Sequence, residues 1–557
     1  MASPAGQRGS RRGERRIAAG MNGGRGSTLI VLLLALPALL PLLAALAAWV
    51  SPATEVWAHQ FEYVLPRVAA NSLLLLAMVG GMTALLGSGL AWLVAACEFP
   101  GRRIFSWALL LPLAVPGYVL AVVFAGSLDY SGPLQTALRE GLGVTGTLPH
   151  VRSLGGAAIV LSLTLYPYVY LLARNAFEAN GGRALEAAQS LGHTRAAALR
   201  RVLLPAARPA IAAGVALACM ETLADFGVVA TLNVDTFTTA IYKAWFGLYS
   251  VDAALQMAGL LALLALAGLW LERRLRGGAQ YAASRVQTEL ARVRLRGWHA
   301  GLACAAALLV LSVAFLLPFI QLLAWAVAHA ATDLDSRYWG FAARSLLLAG
   351  SGTLVILTAA VALGYALRGE ERGYVRTAGR LALSGYAMPG AVLAVGVFVP
   401  VVAAARLAQS WFDAAFGPGA VPAIATGTMS AMLIAYLARF LAVGYGPVES
   451  GLARIHRHLD ECAESLGARG LARLRRIHLP LLRGSLLAGA VLVFVDLMKE
   501  LPITLMTRPF GFETLAVRVF EMAAEGEWER AALPSVFLVL VGLVPVALLG
   551  RRIANVA

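Results

Sequence analysis

The sequence LEAAQSLG at residues 185–192 recurs, with small changes, as DECAESLG at residues 460–467. In each copy a Leu-Pro dipeptide ends nineteen residues after the first glutamate. Further upstream, Pro116-Gly117 matches Pro389-Gly390, and the sequence SLLL at residues 72–75 matches SLLL at residues 345–348. The offsets of 273 to 275 residues are about half the chain. The order of the matches therefore predicts an internal duplication.

Long apolar segments connect these motifs. Hydrophobic residues make up 59% of the chain and charged residues 14%, whereas about a quarter of a soluble protein is charged. At about 20 apolar residues per membrane-spanning helix, we predict twelve spans, at residues 28–50, 70–97, 104–126, 155–177, 209–232, 251–271, 301–328, 342–367, 381–408, 425–447, 484–506 and 533–550. The predicted fold is an all-α polytopic membrane protein of two six-helix repeats, which are parallel because six is even.

The basic residues test this map. With a cytoplasmic N-terminus, most of the 46 Lys and Arg fall in the inner segments, as the positive-inside rule requires, and the C-terminus is cytoplasmic too. The net charge of +16 then reflects topology, and no polar stretch is long enough for a nucleic-acid-binding module. The predicted domains are a disordered basic tail (1–27), a first repeat (28–271), a basic linker (272–300) and a second repeat (301–557).

Both copies of the duplicated motif lie in inner segments. Each predicts a short helix, a turn at Gly192 or Gly467, and a second helix ending at Leu-Pro, where the proline suits the start of the next span. A single amphipathic helix could instead bind anionic lipid through its arginines. Two copies at identical spacing favour docking sites for two equivalent partners. The lysines, Lys243 and Lys499, do not follow glycine, so the chain has no Walker A loop.

The duplicated motif resembles the coupling motif of type I binding-protein-dependent ABC importer permeases, and the fused layout resembles the iron(III) permeases. Further matching stretches are residues 71–75, 99–103, 224–227, 500–502 and 508–516. The resemblance assigns ATPase coupling to Glu186, Ala187, Ala188, Gly192, Glu461, Cys462, Ala463 and Gly467. In the second copy Cys462 replaces the usual alanine, which is a small change.

The same resemblance implies a function and a set of partners. The chain would be a multi-pass permease of the bacterial inner membrane that imports ferric iron from a periplasmic binding protein. Two copies of a cytoplasmic ATPase would hold the ATP and magnesium. The chain itself would bind no cofactor and would not be an enzyme.

Four acidic residues lie inside predicted spans. Glu221 and Asp225 are four residues apart, which places them on one face of a helix, and Asp496 and Glu500 repeat this spacing. Intramembrane carboxylates are costly and usually face a cavity or a partner, and their oxygens suit hard cations such as Fe(III). We predict that they line the translocation pathway, without assigning a metal site. Alternatively, Lys499 neutralises a neighbour, or the acids are protonated or cap broken helices.

The outer segment 507–532 is acidic. We predict that Glu513, Glu521, Glu525 and Glu527 contribute to docking of the binding protein, and that segment 233–250 serves its other lobe. The alternative is an ordinary solvated acidic loop.

Other functions remain open at this stage. Within ABC importers, thiamine and 2-aminoethylphosphonate permeases share the fused layout, although an anionic phosphonate disfavours four carboxylates. A proton- or sodium-coupled secondary transporter would use the carboxylates as relays and would need no ATPase. A membrane enzyme would use the same pairs for acid–base chemistry, but it leaves the paired motifs unexplained.

Overall fold

The computed structural model describes residues 25–50, 54–142, 150–192, 194, 197, 199–276, 292–368, 370–418, 428–468 and 470–556. Almost all of the predicted basic tail and the middle of the predicted linker lie outside these ranges. The described chain is built mainly of helices, whose bounds follow for each half.

In the first half the helices are α1 (Arg25–Ala47), α2 (Thr54–His59), α3 (Leu65–Ala96), α4 (Arg102–Ala108), α5 (Gly117–Leu128), α6 (Pro133–Leu142), α7 (Leu154–Ser190), α8 (Leu204–Ala224), α9 (Gly227–Thr231), α10 (Phe237–Tyr242) and α11 (Val251–Arg276). Two short strands, β1 (Cys97–Glu98) and β2 (Val293–Arg294), pair in parallel.

In the second half the helices are α12 (Trp298–Leu311), α13 (Leu317–Asp333), α14 (Ser336–Leu367), α15 (Gly373–Leu383), α16 (Gly390–Phe416), α17 (Thr428–Ala453), α18 (Arg457–Ser465), α19 (Gly470–Arg473), α20 (Leu479–Lys499), α21 (Pro502–Thr507), α22 (Leu515–Ala524) and α23 (Ala532–Val556).

The described helices fit a membrane protein. Ten helical segments are long and apolar enough to cross a bilayer, and the bent pair Arg102–Ala114 and Gly117–Gly141 makes an eleventh if it counts as one span. A shorter apolar helix covers Ala532–Leu548. Each of the twelve predicted spans overlaps one of these segments, and the prediction of an all-α polytopic membrane protein is confirmed.

Two predicted spans differ from the structure near the matched Pro-Gly pairs. The span predicted at 104–126 is bent by 88°, and the helix predicted from residue 381 begins only at Gly390. In both places a short 3₁₀ turn, Leu111–Ala114 or Ser384–Ala387, precedes the proline. Proline cannot donate a helical hydrogen bond, and it restricts the residue before it to extended backbone. Both prolines therefore precede helices instead of lying within them.

Contacts divide the chain into two compact units. The first comprises Met1–Ala44, Leu348–Met388 and Gly396–Leu497, and the second comprises Ala45–Leu347, Pro389–Val395 and Met498–Ala557. The domain boundaries inferred from the sequence repeat stay a prediction.

Each unit has its own apolar core. In the first unit, side chains of α1, α14, α15, α17 and α20 form one cluster, which includes Val31, Leu363 and Val448. In the second unit, α3 and α8 pack against α7. The fully buried Tyr166 and Tyr170 on α7 donate hydrogen bonds to the carbonyls of Leu109 and Ser106, at 2.9 and 3.0 Å. These bonds satisfy polar groups that the apolar surroundings would otherwise leave unpaired.

Candidate functional site

The second copy of the duplicated motif forms helix α18. Glu461 and Cys462 are exposed on it, whereas Ala463 is buried. The helix ends in a turn in which Gly467 has a φ of +79°. Its amide donates to the carbonyl of Glu464 at 3.0 Å, and the next amide donates to that of Ala463 at 2.8 Å. This is the Schellman arrangement, which favours glycine because other residues rarely adopt positive φ.

Each copy of the motif presents an exposed leucine just before its glycine. Leu466 is 87% exposed and Leu191 is 80% exposed. Gly192 has a φ of +82°, close to that of Gly467, so both predicted turns are confirmed. The side chains of Glu186, Ala187 and Ala188 lie outside the described residues. The shared feature is thus an apolar side chain held in solvent by a left-handed turn.

The helix that follows each turn differs from the prediction. It does not end at the Leu-Pro dipeptide, because π-helical turns at Leu199–Leu203 and Leu474–His478 run straight into α8 and α20. Pro205 is the second residue of α8 and follows the π-helical turn directly. From Leu199 and from Gly470 onward, the chain therefore continues into a membrane helix without a break.

A buried ionic cluster holds α18. Arg368, the residue after α14, donates from Nε and Nη2 to Oδ2 of Asp460, at 3.0 and 2.8 Å. His478 Nε2 donates to the other carboxylate oxygen at 2.7 Å, and Arg473 Nε lies 3.8 Å from it. The nearby Glu370 is paired with Arg372, whose hydrogen bonds lower the pKa of Glu370 to about 2. Because Glu370 pairs with Arg372, the carboxylate that pairs with Arg368 is that of Asp460.

The membrane helices α8 and α20 each end at one of the predicted pathway acids. The predicted spans 209–232 and 484–506 are interrupted there, since α9 begins at Gly227 and α21 at Pro502. Asp225 Oδ2 accepts hydrogen bonds from the amides of Val228 and Val229, at 3.0 and 3.2 Å. Asp225 therefore caps α9 and satisfies amides that have no partner within the helix.

Glu500 plays the equivalent part in the second repeat. Its Oε1 accepts from the amide of Ile503 and its Oε2 from that of Thr504, both at 3.0 Å. The Thr504 hydroxyl adds a bond of 3.1 Å to Oε2, and Glu500 is buried. The sequence left open that the acids are neutralised by Lys499, are protonated or cap broken helices, and the hydrogen bonds of Asp225 and Glu500 fit the last of these.

The expectation that each acidic pair shares a helix face is therefore wrong. Glu221 and Asp496 lie within α8 and α20, but Asp225 and Glu500 lie just beyond the helix ends. Glu221 and Asp496 are half-buried. Lys499 donates to the carbonyl of Leu113 at 3.4 Å. Glu221 and Asp496 are thus the members of the set that lie inside the membrane helices.

Removal of the Glu500 carboxylate is expected to destabilise the protein. Glu500→Ala leaves the amides of Ile503 and Thr504 without their acceptor in a buried site, which costs about 1–3 kcal/mol. Glu500→Gln keeps one acceptor oxygen and should lose less. Thermal unfolding of the detergent-purified protein measures the difference. Equal stability of Glu500→Ala and the wild type would contradict the capping role.

Equivalent hydrogen bonds hold both predicted outer segments. The hydroxyl of Ser72 accepts from the amide of Phe237 at 3.3 Å, and that of Ser345 accepts from Leu515 at 2.8 Å. The neighbouring side chains repeat the pattern: Asn71 donates to the carbonyl of Asp235, and Arg344 donates to that of Glu513. The serines that the sequence comparison matched therefore fix the starts of α10 and α22.

The acids predicted to dock a binding protein are in unequal environments. Glu521 pairs with Arg508 at 2.6 Å, and Glu527 pairs with Arg530 at 3.0 Å. Glu513 is half-buried and Glu525 is exposed. A cavity of about 610 Å³ near them is lined by both acidic and basic residues, including Asp333, Arg344, Glu513, Arg518 and Arg530. Segment 507–532 thus contains ion pairs between acidic and basic side chains and is not a simple acidic loop.

Comparison with known proteins adds a family match. Residues 85–277 match the model of the family described as binding-protein-dependent transport system inner membrane component. This range contains the first copy of the duplicated motif.

Three relatives with different stated substrates are similar to the chain. The Fe(3+)-transport system permease protein FbpB 2 of Haemophilus influenzae is 25% identical over 94% of this chain and 97% of its own length. The sulfate transport system permease protein CysT of Salmonella typhimurium is 33% identical over 39% of this chain and 76% of its own. A putative 2-aminoethylphosphonate transport system permease protein of Salmonella typhimurium is 30% identical over 39% and 75%.

Proposed function

Because the chain belongs to the family of binding-protein-dependent transport system inner membrane components, we propose that it is the permease of an ATP-driven importer of ferric iron. Permeases of this family are transport subunits, not enzymes, and they work with a periplasmic binding protein and an ATPase. The choice of iron rests on how much of this chain aligns with each relative. The Fe(3+)-transport relative aligns with both halves of this chain, over 94% of its length, whereas the sulfate and phosphonate relatives cover 39% of it.

We place the ATPase at the two copies of the duplicated motif. Leu191 and Leu466 are exposed apolar side chains in equivalent positions, and an exposed apolar residue beside a rigid turn suits insertion into a groove of a partner. Two such sites on one chain fit two ATPase copies, which would carry the ATP and magnesium. This arrangement requires both motifs, and with them both termini, to be cytoplasmic.

We assign iron passage to a route that includes Glu221 and Asp496. Hard carboxylate oxygens suit Fe(III), and weak, successive contacts allow an ion to move on. We assign to Asp225 and Glu500, the other two acids predicted to line the pathway, the role of holding the starts of α9 and α21 through their hydrogen bonds to backbone amides.

Reconstitution tests the function. The chain, its ATPase and its binding protein are placed in proteoliposomes, and ATP-dependent uptake of radioactive iron, sulfate, 2-aminoethylphosphonate and thiamine is compared. Iron uptake that needs ATP and the binding protein is expected. ATP-dependent uptake of another substrate in its place would overturn the choice of cargo, and uptake driven by an ion gradient without the ATPase would overturn the ABC mechanism.

The exposed Glu525 should contribute to docking of the binding protein. Glu525→Arg reverses a charge that has solvent access, and a rim charge of this kind is worth about 0.2–1 kcal/mol and acts mainly on the association rate. We expect binding to weaken about two- to tenfold, with the loss shrinking at high salt. Surface plasmon resonance of the immobilised permease measures both effects.

Glu140→Arg is the matched control, because it reverses another exposed acid in a predicted outer segment. If Glu525→Arg binds the binding protein as tightly as the wild type does, segment 507–532 is an ordinary solvated loop.

A further inference from the structure

The two coupling motifs are attached to the membrane helices in different ways. In the first half the motif is the last part of α7, a continuous helix of 37 residues. In the second half α17 ends at Ala453, and the separate helix α18 has only nine residues. A helix this short is marginal by itself. Its position must therefore be fixed by side chains.

Arg368 bridges the break between α17 and α18. Its Nη1 donates to the carbonyl of Leu452 and its Nη2 to that of Ile455, both at 2.9 Å. The same guanidinium donates to Asp460 on α18. Arginine presents its donors in a rigid planar fork, so a single side chain at the end of α14 fixes the end of one helix relative to the next.

Asp460 extends this linkage to α20. Its Oδ1 accepts the 2.7 Å hydrogen bond from His478, which directly precedes α20 and is fully buried. Arg473 donates to the hydroxyl of Tyr365 on α14 at 3.2 Å. Charge-assisted hydrogen bonds are short and directional. The cluster thus ties α18 to α14 and α20 at defined angles, which apolar contact alone would not specify.

The first half lacks these groups. At the offset of 275 residues, Asp460 corresponds to Leu185 and His478 to Leu203. Leu203 is buried, so the equivalent of His478 packs without a hydrogen bond. By sequence, leucines therefore stand at the positions of Asp460 and His478 in the half where the motif continues α7, and the ionic cluster stands in the half where α17 and α18 are separate.

We infer that Asp460, Arg368 and His478 are positioning residues that make α18 a rigid lever between the ATPase and the helices α14 and α20. They replace the continuous helix that serves the first half. This inference rests on the proposed function, because it assumes that α18 contacts an ATPase. It makes the two coupling sites mechanically unequal: one acts through its own backbone, the other through three side chains.

The test uses Asp460→Asn in the full chain, assembled with the ATPase and the binding protein. The variant keeps the shape of the side chain and removes its charge. We expect the ATPase to remain bound, because Leu466 and the first copy are intact. Stimulation of ATP hydrolysis by the binding protein should fall at least fivefold, and iron imported per ATP should fall with it. Glu371→Gln, which removes an exposed charge three residues after Arg368 and outside the duplicated motif, is the matched control and should keep both values.

A second variant separates positioning from packing. Asp460→Leu with His478→Leu and Arg368→Met installs the apolar pair of the first half without leaving the Arg368 guanidinium buried beside no carboxylate, and a melting temperature within a few degrees of the wild type is expected. We expect stimulation of ATP hydrolysis by the binding protein to stay low in this variant. The hydrogen bonds that orient α18 are lost, although apolar packing at these positions is restored. Wild-type stimulation in either variant would overturn the inference. Stimulation of ATP hydrolysis does not depend on the identity of the cargo, so this result is separate from a failure of the iron assignment. If the wild-type chain did not bind the ATPase, that result would count against the proposed function itself.

Discussion

Replacing Leu191 and Leu466 together by aspartate is expected to abolish ATP-driven uptake by releasing the ATPase. Both leucines are almost fully exposed next to a left-handed glycine. Burial of one leucine side chain contributes about 2 kcal/mol, which is roughly thirtyfold in affinity. Aspartate in an apolar groove adds a desolvation cost. We expect the double variant to bind the ATPase more than a hundredfold more weakly.

Co-purification of the ATPase and uptake in proteoliposomes measure this effect. Each single variant should keep part of the binding, because the other site remains. Leu334→Asp changes an exposed leucine outside both motifs and should leave the ATPase bound. Retention of the ATPase by the double variant at wild-type affinity would contradict docking at the two turns.

The repeat and the spans could be predicted from the sequence because they are local patterns. Twenty apolar residues must form a helix in a bilayer, and Gly192 and Gly467 mark turns without reference to distant residues. The breaks at Asp225 and Glu500 could not be located in this way. Apolar residues continue on both sides of each acid, so hydropathy shows one run, and only the folded backbone shows which amides the carboxylate caps.

The cluster around Asp460 was missed for a related reason. Arg368 precedes Asp460 by 92 residues and His478 follows it by 18, and such distances carry no periodic signal. One indication was nevertheless present. Asp460 and His478 stand where the first repeat has leucine, and polar residues that replace apolar ones in a duplicated chain can mark a contact made by one copy alone.

Neutralising Glu221 and Asp496 together is expected to lower iron uptake at least tenfold while the complex still assembles. Both acids are half-buried within the membrane helices α8 and α20, and Glu221→Gln with Asp496→Asn keeps the shape of each side chain while removing its charge. A carboxylate about 4 Å from a unit charge is worth about 4 kcal/mol at an effective dielectric constant of 20. Loss of even a third of this attraction is about tenfold in occupancy.

Initial rates of ATP- and binding-protein-dependent iron uptake measure this effect, alongside the melting temperature of the purified complex. Asp252→Asn, which removes an exposed carboxylate near the start of α11, is the control and should transport iron normally. A lower rate with an unchanged melting temperature would separate a pathway role from a structural one. Iron uptake at the wild-type rate in the double variant would exclude Glu221 and Asp496 from the route and leave the capping acids, Asp225 and Glu500, as the remaining intramembrane carboxylates of the original set.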